Sequence, residues 1–142
     1  MSNIVYQPGQ PQDVAKIRLL DYRTHEISQW HECLADILKH CQTHIGKRDG
    51  EIVTFASFSV EGETTVVRRF GGSTPAVIRQ NIKHALKAFD LPTERVELDC
   101  CVLDAEEHYN ELLATCKFVG RSPSIPVSAY GREWESYRYL LP

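Results

Sequence analysis

The chain is expected to fold as a mixed α/β (α+β) domain, one mixed sheet with helices on both faces. Three observations predict it. Residues 51 to 70 hold two runs rich in β-branched and aromatic residues, joined and preceded by tight glycine turns. Apolar residues recur at spacings of three and four in residues 30 to 41 and again in 78 to 89. A strand-like run, Val96 to Leu103, follows the second of those helices. An antiparallel meander followed by a strand–helix–strand crossover implies a mixed sheet. The predicted order is β-α-α-β-β-β-α-β-α-β-β.

Ile4 to Tyr6 is a short apolar strand that Pro8-Gly9-Gln10-Pro11 ends. Asp13 then caps a helix carrying Val14, Ile17 and Leu19 or Leu20. From Ser28, Trp30, Cys33, Leu34, Ile37, Leu38 and Cys41 make one buried helical stripe. Thr43 to Lys47 is a strand, and Arg48-Asp49-Gly50 a hairpin turn, because both central positions of a type I′ turn need positive φ. Glu51 to Val60 and Thr64 to Phe70 complete a meander that ends at two glycines.

Helix three starts at Pro75 with Thr74 as N-cap, runs to about Phe89, and is stopped by Leu91-Pro92. Its inner stripe is Ile78, Ile82, Ala85, Leu86 and Phe89. Val96 to Leu103 is a strand buried on much of both faces. Asp104 opens a fourth helix with Tyr109, Leu112, Leu113 and Cys116 on one side. Lys117 to Gly120 is a strand, and Val127 to Leu141 a last strand or hairpin about Gly131.

The 142 residues make a single domain, 1–142, of ordinary composition, 42% hydrophobic and 25% charged. A net charge of −3 without a basic tract argues against a nucleic-acid binder. No apolar run is long enough to cross a membrane, and the N-terminus lacks a secretory signal. The five cysteines follow no framework, and buried reduced thiols in a cytoplasmic protein explain them best. His40, Cys41 and His44 are too few for a metal site, and histidines solvated near a helix C-terminus account for them.

Chemistry concentrates in Val66-Val67-Arg68-Arg69-Phe70-Gly71-Gly72-Ser73-Thr74-Pro75. The glycines let the backbone turn sharply and approach a ligand. The helix start behind them offers unpaired N–H groups and a positive dipole end. Arginine beside such a terminus makes an anion site, most often for phosphate. The alternative is a plain strand-to-helix turn with a good cap. Arg68 and Arg69, adjacent on a strand, are expected on opposite faces, so at most one meets the ligand.

With this order of elements the chain resembles the GCN5-related N-acetyltransferase (GNAT) family, whose donor is acetyl-coenzyme A. The likeness is carried by Ile4 to Ile17, by Asp49 to Ala56, by Arg68-Arg69-Phe70-Gly71-Gly72-Ser73 as a pyrophosphate pattern, by Val96 to Asp99, and by Glu111 to Phe118. Against the family pattern, Ser73 takes the last pyrophosphate place, the stretch before the glycines is short, Lys117 replaces a glycine, and Leu113 stands where a tyrosine often protonates the departing thiolate.

The resemblance implies that the fourth and fifth strands splay around the thioester. It places Val66, Val67 and Arg68 along the opening, Gly71, Gly72, Ser73 and Thr74 on the pyrophosphate, and Arg68 or Arg69 beside it. Tyr109, one turn before Leu113, and Asp99 are the candidates for acid and base. A core-packing tyrosine and an ordinary ion pair are their structural alternatives. Cys100 or Cys101 as nucleophile lacks a partner histidine. The implied activity is acyl transfer from coenzyme A to a small-molecule or peptide amine. Its rival is a catalytically silent module of the same fold that binds a ligand or partner protein. Ser122 to Pro126 and the last strand, with Trp134, Tyr137 and Tyr139, would border the acceptor side. That aromatic strand also suits pairing with a second copy as a homodimer.

Overall fold

The structure, a computed structural model, describes residues 3–24, 38, 41–101, 109–123, 127–129 and 132–142. The elements are β1 (Val5–Pro8), α1 (Val14–Thr24, entered by a 3-10 turn at Pro11–Asp13), β2 (Gln42–Arg48), β3 (Glu51–Glu61), β4 (Thr64–Gly72), α2 (Pro75–Ala88), β5 (Arg95–Cys101), α3 (Asn110–Leu113), β6 (Lys117–Arg121), β7 (Val127–Ala129), β8 (Arg132–Trp134) and β9 (Ser136–Leu140). The helix expected from Ser28 lies outside the described residues, His40 and Cys33 included, apart from Leu38 and from Cys41, which is a bend leading into β2.

Seven strands form one sheet in the order β1-β2-β3-β4-β5-β9-β6, and β7 pairs with β8 in a separate hairpin. Among the described residues only β4 and β5 run parallel, as the crossover through α2 requires. The expected α+β mixed sheet is therefore present. β9, with Tyr137 and Tyr139, is interior, between β5 and β6, and Trp134 lies in β8, paired with β7. The edges of the seven-stranded sheet are β1 and β6.

α1 packs one face, with Ile17, Ile45, Ile52 and Phe55 closed around it. α2 and α3 cover the other, over Ala56, Phe58, Val67, Phe70, Val96 and Leu98. α2 fits its strands because Ile78, Asn81, Ile82 and Ala85 share one stripe. Asn81 is fully buried beside His44: its amide donates to the His44 carbonyl at 3.0 Å, and the His44 Nδ1 lies 2.8 Å from its oxygen. His44 is thus a buried strand residue of β2, 1% exposed, and not a solvated histidine at a helix end. At the β2–β3 turn, Asp49 (φ 53) and Gly50 (φ 78) take the left-handed values expected of them. Among the described residues no helix is long and apolar enough to cross a membrane.

Candidate functional site

β4 and β5 pair from Thr64↔Arg95 to Val67↔Leu98 and no further. Beyond that point β4 continues to Gly72 along β3, and β5 continues to Cys101 along β9. The two parallel strands therefore part into a fork. A register shift on the β3 side starts the divergence: Phe58 faces Val67 and Ser57 faces Arg69, which leaves Arg68 as an extra residue in β4.

That bulge overturns the expected alternation of the two arginines. Phe58 belongs to the core under α2, so its neighbour Ser59 lies on the α1 face. The Arg68 Nε donates to the Ser59 hydroxyl at 2.7 Å. Arg69 also turns to the α1 face, where Nε donates to the Asp21 carboxylate of α1 at 2.8 Å and the second nitrogen reaches it at 3.2 Å. Asp21 is 1% exposed and Arg69 7%, a buried bidentate pair. Both guanidinium groups stand on the side of the sheet away from α2.

Asp99 of β5 faces the same side. Its Oδ2 accepts from the Ser122 hydroxyl at 2.8 Å and from the Arg138 Nε at 3.2 Å, with Arg68 at 3.6 Å. Arg138 also donates to Glu61 at 3.1 and 3.3 Å and lies 3.5 Å from Glu97. Its hydrogen bond, followed by the nearby charges of Arg138 and Arg68, holds the Glu61 carboxyl below its ordinary range. Asp21 and Arg138 escaped the sequence reading, which named Ser122 only as part of a loop bordering the acceptor side. Asp21 did carry a signal, an acid one turn after Ile17 on the buried stripe of α1, where a carboxylate needs a cation.

On the α2 face the fork is apolar. Tyr109 is 4% exposed, its ring 4.8 Å from that of Phe70, and its hydroxyl donates to the Phe70 carbonyl at 3.2 Å. That carbonyl belongs to β4 beyond its pairing with β5. Leu113 lies beside it in the core. Val66 and Val67 are fully buried and still paired to β5, below the opening, so its β4 wall is Arg68 to Gly72.

The expected turn at the glycines is absent. Gly71 and Gly72 are strand residues opposite Phe55 and Thr54 of β3, and neither has a positive φ. The Gly71 carbonyl accepts from the Thr54 hydroxyl at 2.7 Å. A Cβ on Gly72 would come within 2.8 Å of the Ile78 Cγ1 and 2.9 Å of the Thr54 Oγ1. Glycine is needed there so that α2 can pack onto the strand. Ser73 and Thr74, both exposed, are the whole connection. Thr74 caps α2 as expected, its hydroxyl accepting from the Val77 N–H at 3.2 Å, and Pro75 brings no N–H of its own.

Cys41, Cys100 and Cys116 are reduced thiols, and burial pushes that of Cys116 up. Among the described residues no His, Cys, Asp and Glu side chains gather as a metal-holding group.

No family model matches the chain, and no curated protein matches it. Solved structures do. A probable acetyltransferase from Staphylococcus epidermidis ATCC 12228 is similar over 99% of this chain and 98% of its own, with a TM-score of 0.65 and 13% identity. The fold is that of the GNAT acetyltransferases. The ribosomal-protein-S18-alanine N-acetyltransferase from Escherichia coli shares it at a TM-score of 0.67 and 11% identity, over 99% of this chain and 94% of that one. A GNAT family acetyltransferase from Elizabethkingia anophelis with acetyl-CoA bound shares it at 0.60 and 16%, over 97% and 96%. Identities this low carry the fold and nothing finer.

Coenzyme A sets two demands on this GNAT fold, a slot for its thioester arm and a cradle for its diphosphate. At the fork the β4 backbone past Val67 is not paired to β5. At the β4–α2 junction the glycines are paired and packed, the Val77 amide is capped by Thr74, Pro75 supplies no donor, and both arginines face the other way.

Proposed function

We propose that this chain is a binding module of the GNAT fold that does not transfer acyl groups from coenzyme A. The observation that carries this reading is the paired Gly71-Gly72 segment with Ile78 packed against it, which replaces an anion-binding loop by continuous strand. The candidate catalytic groups support it. Leu113 has no proton to give, the Tyr109 hydroxyl is spent on a backbone carbonyl, and the Asp99 Oδ2 is held by Ser122 and Arg138. A general base needs an accessible lone pair near the amine it deprotonates. Reduced thiols at Cys41, Cys100 and Cys116 suit a cytoplasmic protein. Titration calorimetry with coenzyme A and acetyl-coenzyme A, together with thiol release over a panel of small-molecule and peptide amines, tests the reading. No heat at millimolar ligand and no thiol release are expected. Micromolar binding with turnover overturns it.

The fork favours a second reading, an N-acetyltransferase moving an acetyl group from acetyl-coenzyme A to an amine acceptor. Bound there, the cofactor would supply an electrophilic acyl carbonyl. The β4 backbone past Val67, which β5 does not pair, would line that arm, and Asp99 and Tyr109 are the groups nearest to act on protons. Thiol release that falls on Tyr109→Phe while the fold persists would choose this reading.

A further inference from the structure

α2 lies across β1 to β4 and leaves the lower part of β5 and the end of the chain uncovered on that face. A half-open groove of about 500 Å³ results, between α2 and the segment after β9. Its size falls within the range of small-molecule sites. Ile82, Leu86, Val96 and Leu141 make its lining apolar, and Arg79 and Lys83, four residues apart and so on one side of α2, stand over it. Glu94 lies at the other end, by the α2–β5 turn.

Two further facts give the groove a preference. α2 carries Arg79, Lys83 and Lys87 and no acidic residue, in a chain whose net charge is −3. The Arg79 Nε is buried with no hydrogen-bond partner among the described residues, while the outer nitrogen of the same side chain meets the Thr115 hydroxyl. A buried donor without an acceptor calls for one, commonly a water or ion. Here it belongs to a cation beside an apolar groove.

We propose that this groove, separate from the fork, binds a small amphipathic anion: an aliphatic carboxylate whose chain lies on Leu86, Val96 and Leu141 and whose head meets Arg79 and Lys83. The apolar lining provides the driving force by removing the chain from water, and the cation pair fixes its direction, head away from Glu94. The volume favours such a molecule over a peptide helix, which needs a longer surface.

Decanoate is the probe, with decanol and acetate as its two halves, titrated into the full chain by calorimetry. Decanoate is expected to bind with a Kd of roughly 10–500 µM, and decanol and acetate each about tenfold or more weaker, since each lacks one of the two contributions. Arg79→Gln and Lys83→Gln should each weaken decanoate by about tenfold to 150-fold, the range of one charge-assisted hydrogen bond. Leu86→Glu should abolish binding while circular dichroism stays native. Lys83 is exposed, so its variant reports even if Leu86→Glu fails to fold. No decanoate binding at millimolar concentration, equal binding of decanol, an acidic peptide binding where decanoate does not, or unchanged affinity in the Arg79→Gln/Lys83→Gln double variant overturns the assignment. Because the groove and the fork share no residue named here, failure of either leaves the other standing.

Discussion

On the α2 face of the fork, Phe70, Ile78, Leu98, Tyr109 and Leu113 close around one another as core. On the α1 face the same two strands present Arg68, Arg69 and Asp99 to carboxylates and hydroxyls. One face is held by packing, which tolerates apolar swaps that keep the volume better than those that change it. The other is held by paired charges, which tolerate neither partner alone. The difference explains why a sequence pattern that resembles a phosphate site has another use here. The arginines are spent on Asp21 of α1, on Ser59 and Glu61 of β3 and on Asp99 of β5, and the glycines on making room for α2.

The sharpest way to break this comparison is to orphan the buried charge. Asp21→Ala leaves the Arg69 guanidinium buried and unpaired by that carboxylate, and should cost about 3–5 kcal/mol in urea unfolding. A loss below about 1 kcal/mol would mean that the α1 face is not held by charge. Replacing both partners with apolar residues, Asp21→Leu with Arg69→Met, should recover most of the loss.

Next comes the packed glycine. Gly72→Ala should destabilise by about 1–3 kcal/mol through overpacking against Ile78 and Thr54. Gly62 at φ 62, with nothing near its absent Cβ, makes the control: its Ala variant should lose about 1–2 kcal/mol from backbone strain alone. Adding Ile78→Val should change the Gly72→Ala cost and leave that of Gly62→Ala unaltered. Equal coupling at both glycines would show that space is not what Gly72 supplies.

Tyr109→Phe removes one hydrogen bond and keeps the ring against Phe70, so about 0.5–1.5 kcal/mol is expected in the same assay. A neutral result would put the hydroxyl elsewhere in solution.

The smallest effect is in pH. Burial holds the His44 imidazole below its ordinary value in the folded chain, the Asn81 contact opposing and His84 adding to it. As pH falls, the unfolded chain takes up that proton first. Stability at this site is therefore full above about pH 6.5 and declines as pH drops through it toward the folded value. His44→Gln should flatten that part of the stability profile. An unaltered slope would assign the proton to another group.

Much of the fold was legible because its signals are local. The Asp49-Gly50 turn, the stripe of α2 and the Thr74-Pro75 start each depend on residues within a few positions. The order of elements then limited the sheet to few arrangements. The site was less legible, because its meaning depends on pairing across the sheet. Whether Gly71 and Gly72 form a turn or a strand is decided by Phe55 and Thr54, and the direction of Arg68 by a one-residue slip between β3 and β4. Arg138 meets Glu61 across 77 positions of chain, beyond any spacing argument. His44 was placed in its strand but read as solvated for the same reason, since the partner that satisfies its buried ring, Asn81, lies 37 residues on.

The backbone amides of residues 71 to 77 give the most direct test of whether this junction holds a diphosphate. In a two-dimensional NMR titration with coenzyme A, the signals of Gly71, Gly72, Ser73, Thr74, Ala76 and Val77 should stay in place up to millimolar ligand. Saturable shifts centred on Gly72 to Ala76, at micromolar concentrations, would contradict the account and return the nucleotide to the start of α2.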